Sequence, residues 1–345
     1  MQDWQPARDA FLVQQLRNAG AVILGKANLS EWANYMDFNL PDGFSALGGQ
    51  TRDAYGPFDP AGSSTGSAVS VAANLTTVSV GTETQGSIIA PSSVNGVAGL
   101  KTSRGLVSRD YIIPLMDWMD VPGPIGRSVT DVAVLLTAMT GTDENDPATA
   151  DAAELAGVDF TQFLSLEQAQ EIRVGVAGMS EAVIQQIVDD TEKQVGRALT
   201  PEEADAIRTE FVDAVGDPQA IAAVLNAQGI ETVFIDSSVS PVAGTDPFTP
   251  LEYGFQDSFN RFMASLGENA PLSSLADVAA FNNEDLANRA PYGQSYVEGS
   301  VNTAITAEAY AAMKEENMQS SAAALRGLFE EYDVDIIAFR VYTQE

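Results

Sequence analysis

The sequence predicts an α/β protein, because helical and strand patterns alternate along the chain at short spacing. Residues 9–18 carry apolar side chains at helical spacing and precede a glycine and the apolar run 21–24, which indicates a short buried strand. The same order returns near the C-terminus, where the helical pattern 308–332 leads into the apolar run 334–338. Apolar residues make up 45% of the 345 residues, which is enough for a large core.

Local signals predict the elements between these ends. Ser128, followed three residues later by Asp131, predicts a capped helix over Val129–Met139. The other predicted segments are, in order, a helix begun by residues 26–31, a long loop 36–60, a helix 68–75, a strand 78–80, strand and loop over 106–124, a polar surface connection 141–157, a strand 172–178, helices within 181–216, a helix 220–228 with a strand 230–235, and helices with loops over 247–300.

The absence of two residue types excludes several classes of enzyme. The chain has no cysteine, so it forms no disulfide and has no thiol nucleophile or thiolate metal site. It also has no histidine, which excludes Ser-His-Asp hydrolases and most zinc enzymes. A serine hydrolase with this composition needs another general base, and lysine is the usual substitute.

The charge is strongly negative, with 48 acidic against 17 basic residues and a net charge of −31. Such a field repels nucleic acid and anionic membranes, so neither is an expected partner, and the oligomeric state stays open. The balance is typical of salt-adapted or secreted bacterial proteins, although many soluble enzymes are also acidic. Residues 1–11 lack the basic start and apolar core of a signal peptide, which leaves the location open between the cytoplasm and secretion.

The stretch 59–101 is dense in Gly, Ser and Thr, yet it carries apolar periodicity that a flexible linker lacks. Its pattern predicts a loop, a short helix, a buried strand and a second loop that ends in Gly86 and Ser87. Two such turns can form a pocket lined with main-chain N–H groups and serine oxygens. The alternative is that these are ordinary Ser/Gly turns of an α/β protein.

Two motifs in this stretch, GSSTGSA at 62–68 and GTETQGSIIAPSSVNGVAGLK at 81–101, resemble the amidase signature family of Ser-cis-Ser-Lys amidases. The resemblance covers residues 8–140 clearly and weakens beyond them. Four further sequence segments, at 20–35, 48–57, 105–114 and 123–136, are most similar to bacterial peptide amidases.

The resemblance implies a three-layer α/β/α amidase-signature fold with a mixed central sheet. Residues 1–140 would form the signature core with the serine loops, and 141–345 the remainder of the same domain with a helical cap or insertion. We expect this fold to be incomplete at both ends.

The resemblance also implies a catalytic role for two serines. Ser87 corresponds to the nucleophile, and Ser63 to the bridging cis-serine that relays a proton to a neutral lysine. The bond expected to be cis is Gly62–Ser63. No metal or organic cofactor is implied, because the relay consists of side chains.

An oxyanion hole is expected from main-chain N–H groups of the second loop, which already point at the developing charge. The candidates are Thr84, Gln85 and Gly86, together with Ser87 itself. The substrate pocket is expected to include Gly62, Ser64 and Ile89. Because Ile89 stands where many relatives have arginine, neutral amides are favoured over substrates with an anionic tail.

The general-base lysine is the difficulty in this interpretation. The chain has four lysines, and the family carries its base on a strand before the helix that begins near Asp9. Lys26 and Lys101 match structural positions of the family, whereas Lys193 and Lys314 lie on amphipathic helices. We therefore expect the base to be missing upstream of Met1 and the chain to be a fragment.

The function predicted from the sequence is hydrolysis of a carboxylic amide, with C-terminal peptide amides as the favoured class. Two alternatives stay open. One is the amidotransferase subunit that supplies ammonia to misacylated transfer RNA and shares the signature. The other is a non-catalytic protein with the amidase scaffold.

Overall fold

The computed structural model describes residues 4–215, 217–236 and 248–339. These residues fold into two compact units. Unit one contains residues 4–162 and 248–313, and unit two contains the described residues between them together with 314–339. The assignment of residues 1–140 to a signature core stays a prediction.

The described strands form three sheets. The strands are β1 Phe44–Ser45, β2 Gly49–Gln50, β3 Val78–Glu83, β4 Ala98–Gly99, β5 Val121–Gly126, β6 Arg173–Gly178, β7 Glu231–Asp236 and β8 Ile336–Ala338. In unit one, β1 pairs with β2, and β5 lies between β3 and β4, all antiparallel. In unit two, β6 lies between β7 and β8, all parallel.

The described part of the chain also contains helices. They are α1 Phe11–Asn18, α2 Thr65–Ala72, α3 Ile89–Val94, α4 Val129–Met139, α5 Leu166–Ala169, α6 Glu181–Val195, α7 Pro201–Val215, α8 Pro218–Ala227, α9 Thr249–Ser265, α10 Leu275–Asn283, α11 Leu286–Arg289, α12 Ser295–Val301 and α13 Ala307–Tyr332. Short 3-10 helices cover Glu31–Asn34, Pro147–Leu155, Phe160–Phe163 and Gly267–Asn269. None of the helices described here is both long enough and apolar enough to cross a membrane.

The central strand β5 is buried at all six of its residues, although its sequence VPGPIG contains two prolines. In an antiparallel sheet, the N–H and C=O groups of one residue point towards the same neighbouring strand. The Pro124 carbonyl accepts from Leu100 N–H at 3.1 Å, and the Pro122 carbonyl accepts from the Thr102 hydroxyl at 2.9 Å. Both prolines therefore face the β4 side, where their missing N–H groups remove no bond from the ladder with β3.

A small apolar cluster lies beneath the candidate site. Val71 of α2, Ile88 and Ile125 of β5 are fully buried and pack together. Gly123 of β5 has no room for a side chain, because an added Cβ would lie 2.0 Å from the Leu100 carbonyl oxygen. The close packing of these elements holds the residues on either side of β3 in fixed positions.

Most predicted helices and strands are confirmed within a few residues. The helix Val129–Met139 has the predicted bounds, and Ser128 and Asp131 form a capping box, with Ser128 N–H 3.0 Å from Asp131 Oδ2 and Asp131 N–H 3.2 Å from Ser128 Oγ. Elements α1, α2, β3, β6, α6, α7, α8, β7, α13 and β8 also lie where the pattern placed them.

Two predictions were wrong. The run 21–24 is not a buried strand: residues 21–27 are all exposed, and none of the described strands pairs with them. The helix expected from residue 26 is only a 3-10 turn at Glu31–Asn34. The strand and loop expected over 106–124 are present, with the strand at the end of this range, as β5 from Val121. A short apolar run has no helical or strand period to follow, so its partners decide its structure.

The polar connection 141–157 was also predicted to lie on the surface, and this is wrong for three of its side chains. Asp143, Asp146 and Thr149 are buried. Asp146 accepts two hydrogen bonds from the Arg109 guanidinium, at 2.8 and 2.6 Å, and Asp143 accepts from the Ser108 hydroxyl at 2.6 Å. Partners far away in sequence compensate the cost of burying these carboxylates.

Candidate functional site

Two serine-containing loops meet beside strand β3. The first serine loop (residues 60–64) leads into α2, and the second serine loop (residues 84–88) connects β3 to α3. The Ser64 N–H donates to the Ser87 carbonyl oxygen at 3.0 Å, so one main-chain hydrogen bond joins the loops. Ser63 and Ser87 are 0% and 7% exposed. The structure therefore brings together the two serines that the sequence assigned to one site.

The first serine loop contains the cis peptide bond Gly62–Ser63, at the position that the resemblance implied. A Cβ added to Gly62 would lie 2.5 Å from Ser30 Oγ and 2.7 Å from Asp42 Oδ1, so no larger residue fits without displacement. Ser30 N–H also donates to the Ser63 carbonyl at 3.0 Å. Ser30 and Asp42 therefore crowd Gly62, and Ser30 also bonds the main chain of Ser63.

The Ser63 hydroxyl is buried and has no hydrogen-bond partner among the described residues. Buried hydroxyls are bonded in the large majority of native structures, so an unbonded one requires an explanation, of which a catalytic role is one. Ser63 therefore differs from Ser64, whose hydroxyl donates to Thr82 O at 2.9 Å and accepts from Thr82 N–H at 3.0 Å. Ser64, expected in the substrate pocket, ties the loop to β3.

Glu83, the last residue of β3, holds the second serine loop with its carboxylate. Oε1 accepts from Gly86 N–H at 2.8 Å, and Oε2 accepts from Ile88 N–H at 2.7 Å and Ile89 N–H at 3.0 Å. These three donors flank Ser87 on both sides in sequence. Glu83 is 4% exposed, so its bonds form away from solvent, where charge-assisted hydrogen bonds are strong.

Lys101 completes this arrangement. Its Nζ lies 3.4 Å from Glu83 Oε1 and donates to the Thr84 carbonyl at 2.7 Å. The ammonium thus compensates the buried carboxylate and holds the first residue of the second serine loop. These contacts agree with the structural assignment made for Lys101, and Lys26 is exposed.

The main-chain N–H groups expected to bind an oxyanion differ in whether they already have a hydrogen-bond acceptor. Within the described part of the chain, the N–H groups of Thr84, Gln85 and Ser87 have no hydrogen-bond acceptor. The Gly86 N–H is bonded to Glu83. Gly86 has φ +78°, a conformation that favours glycine. Three of the four expected donors are therefore available to a ligand.

Asp120, the residue before β5, contacts the start of the second serine loop. Thr84 Oγ1 donates to Asp120 Oδ1 at 2.5 Å, and Leu115 and Met116 N–H groups each donate to Oδ2 at 2.7 Å. Burial raises the pKa of Asp120 to about 6, against the lowering effect of these hydrogen bonds and of the Arg109 charge.

The carboxyl group of Asp42 lies against the first serine loop. Burial raises the pKa of Asp42, and the negative charge of Asp59 adds to the increase. Of the remaining predicted site residues, Gln85 is exposed and Ile89 is half-buried. The described residues contain no group of three or more acidic side chains arranged to hold a metal ion.

Sequence analysis missed the two carboxylates that support the second serine loop. Glu83 carried a usable signal, because it is an acidic residue inside the Gly/Thr-rich motif GTETQGS, where a carboxylate can accept from main-chain N–H groups. Asp120 carried none, because it is 36 residues from Thr84 and lies in a segment without clear periodicity.

Comparison with known proteins places these loops in a family. The amidase family profile matches residues 1–341. A probable amidase of Arabidopsis thaliana is 38% identical over 282 residues, which are 81% of this chain and 49% of the plant protein. A glutamyl-tRNA(Gln) amidotransferase subunit of Synechococcus elongatus is 31% identical over 261 residues, which are 74% of this chain and 49% of that protein.

A solved structure supports the same relationship. The native peptide amidase from Stenotrophomonas maltophilia is 34% identical, with a TM-score of 0.76 over 97% of this chain and 64% of that chain. The predicted α/β amidase-signature fold is thereby confirmed, as a mixed α/β structure with several sheets. The chain spans about half the length of the two curated relatives. By sequence and by fold, it belongs to the amidase family.

Proposed function

We propose that this chain carries the serine site of an amidase, which hydrolyses a carboxylic amide through an acyl-enzyme on Ser87. The observation that carries the proposal is the hydrogen bond from Ser64 N–H to the Ser87 carbonyl, which joins the two serine loops at 3.0 Å. Two further observations support it. Among the described residues, the Ser63 hydroxyl has no hydrogen-bond partner, and three N–H groups of the second serine loop have no acceptor. Membership of the amidase family supports it independently.

In the first half of the reaction, Ser87 Oγ attacks the amide carbonyl carbon and forms a new C–O bond. Ser63 accepts the Ser87 proton and passes its own to a general base, because a serine hydroxyl needs such help to become a nucleophile. The carbonyl oxygen gains negative charge, which the N–H groups of Thr84, Gln85 and Ser87 stabilise. The C–N bond then breaks, the proton returns to the leaving nitrogen, and ammonia or an amine departs.

In the second half, water attacks the acyl ester, the carboxylic acid leaves, and Ser87 regains its proton. The general base in both halves is a neutral lysine in the mechanism that the family resemblance implies. Lys101 is not assigned to that role, because it is bonded to Glu83 and to the Thr84 carbonyl.

The substrate class we propose is the C-terminal amide of a peptide. The similarity to a solved peptide amidase supports this class. Ile89, half-buried beside the second serine loop, offers no positive charge to an anionic substrate tail. Neutral amides therefore fit better than amides with a carboxylate close to the scissile bond.

Two measurements test the proposal. With the general-base lysine expected upstream of Met1 in place, a fluorophosphonate should label Ser87, and Ser87→Ala should abolish the label. Ser63→Ala should lower the labelling rate by about 10²-fold or more, as expected on removal of proton transfer. Ammonia release from an N-acetylated dipeptide amide should follow the same order. A protein that has this lysine in place and is neither labelled nor active would instead fit the non-catalytic alternative.

A second candidate is the ammonia-supplying component of an amidotransferase. The 31% identity to a glutamyl-tRNA(Gln) amidotransferase subunit favours it. A net charge of −31 argues against direct contact of this chain with transfer RNA. Glutamine-dependent ammonia release together with co-purified partner proteins would support this candidate, and hydrolysis of peptide amides by the purified chain alone would count against it.

A further inference from the structure

Asp120 connects three parts of unit one that are separated in sequence. It precedes β5, its Oδ2 accepts from the Leu115 and Met116 N–H groups, and its Oδ1 accepts from the Thr84 hydroxyl. The carboxyl group therefore attaches the start of the second serine loop to the segment that leads into the central strand.

Thr84 is held at two points by this arrangement. Its hydroxyl binds Asp120 at 2.5 Å, and its carbonyl accepts from Lys101 Nζ at 2.7 Å. Its N–H, like those of Gln85 and Ser87, has no acceptor among the described residues. Because the side chain and the carbonyl of Thr84 are both held, the main chain around this residue cannot rotate freely. The direction of the neighbouring N–H groups therefore depends on these two contacts.

We propose that Asp120 is a positioning residue of the site, which acts through the Thr84 hydroxyl to set the direction of the unengaged N–H groups in the second serine loop. The inference rests on the proposed function, since these N–H groups are the donors assigned to the oxyanion. Asp120 itself contacts no reacting atom and acts only through Thr84.

The ionisation state of Asp120 decides the polarity of this contact. An ionised carboxylate only accepts, so Thr84 must donate. A proton on Oδ1 would face Thr84 Oγ1, and the threonine hydroxyl would have to accept instead. The pKa of Asp120 is raised by burial to about 6, so this exchange falls near neutral pH.

The charged groups around Asp120 are themselves paired. Arg109, whose charge favours the ionised form, binds Asp146, and Asp117 binds Arg261 at 2.9 Å. On the Thr84 side, Glu83 and Lys101 form the ion pair described above. We therefore expect Asp120 to dominate the titration of the second serine loop in this pH range.

The first experiment does not depend on activity. The NMR chemical shifts of the main-chain amide protons and nitrogens of Thr84, Gln85 and Ser87 would be measured through a pH range centred on about 6. The wild type should show a common midpoint, which Asp120→Asn and Thr84→Val remove and Thr84→Ser retains. Asp117→Asn, in the same segment but bonded to Arg261, is the matched control and should leave the midpoint in place.

The second experiment measures the rate at which a fluorophosphonate labels Ser87. Asp120→Asn and Thr84→Val should each lower the rate by about 10-fold, which is less than the roughly 10²–10³ for loss of a donor. Because both act on one contact, the double variant should lose no more than either single variant. The wild-type rate should follow the same pH midpoint as the amide shifts, a dependence that a merely structural role would not produce.

The outcomes separate the two proposals. If the amide shifts titrate as described but Ser87 is never labelled even with the expected general-base lysine in place, the proposed function fails and the role of Asp120 in positioning the loop stands. If the shifts do not titrate, or still titrate in Asp120→Asn, the inference about Asp120 is overturned whatever the activity. Additive losses in the double variant would also overturn it.

Discussion

Glu83 and Lys101 form an ion pair, with Lys101 Nζ 3.4 Å from Glu83 Oε1, while the same glutamate accepts three main-chain N–H groups around Ser87. The pair therefore acts on the second serine loop rather than on a substrate. A buried carboxylate with this many donors is costly to disturb, because its removal leaves three N–H groups without an acceptor and the Lys101 ammonium without its opposite charge.

Glu83→Gln tests this directly. The amide side chain cannot accept on its nitrogen and lacks the charge that pairs with Lys101. We expect a loss of about 3 kcal/mol in the free energy of unfolding, measured by chemical denaturation. Glu144→Gln, at an exposed position, is the control and should change stability by less than about 0.5 kcal/mol. An equally small loss for Glu83→Gln would contradict the role of the carboxylate.

Gly62→Ala should disturb the first serine loop. The new Cβ would lie 2.5 Å from Ser30 Oγ and 2.7 Å from Asp42 Oδ1, and overpacking of this kind costs about 1–3 kcal/mol. Thermal denaturation should show the loss, and fluorophosphonate labelling of Ser87 should slow. Gly25→Ala is the matched control, since an added Cβ there meets nothing within 4 Å. Equal behaviour of the two variants would show that Gly62 is not sterically constrained.

Asp120 predicts a specific dependence of stability on pH. Its pKa is raised from 3.8 to about 6, so the folded state binds this proton more tightly than the unfolded chain. The stabilisation from this group is fully present below pH 3.8 and is lost as the pH rises through about 6. The shift corresponds to about 3 kcal/mol at most.

The difference in unfolding free energy between wild type and Asp120→Asn isolates this contribution. Asp37 and Asp146, whose pKa values are lowered, change stability in the opposite direction in both proteins and cancel in the difference. We expect wild type to lose stability relative to the variant as the pH rises from about 4 to about 7. A difference that does not vary with pH would show that Asp120 does not titrate in this range.

The excess of 31 negative charges predicts stabilisation by salt. Raising NaCl from about 0.1 M to about 1 M shortens the screening length from ~10 Å to ~3 Å and weakens the repulsion between surface carboxylates. The Tm should rise by about 5 °C or more. An uncharged osmolyte at matched water activity is the control, because it strengthens burial without screening charge. A Tm that does not respond to salt would exclude self-repulsion as a significant cost.

The accuracy of the sequence predictions follows the range of the interactions involved. The helix Val129–Met139 was predicted to the residue, because Ser128 and Asp131 cap it from within one turn. The prediction of a buried strand at 21–24 was wrong, because four consecutive apolar residues show no helical or strand period and a strand needs a partner. The bounds of the strand at 121–126 were hard to predict because it contains two prolines. A proline is compatible with a central strand only where its missing N–H removes no ladder hydrogen bond, and this depends on the neighbouring strand that it faces.

The candidate site divides in the same way. The sequence by itself determined that two Gly/Ser turns flank one helix and one strand, and that a site without histidine needs another base. The tertiary structure alone decided that Glu83, Asp120 and Lys101 hold the second serine loop. Turns depend on the conformational preferences of adjacent residues, whereas buried charges depend on partners that only the folded chain brings within hydrogen-bond distance.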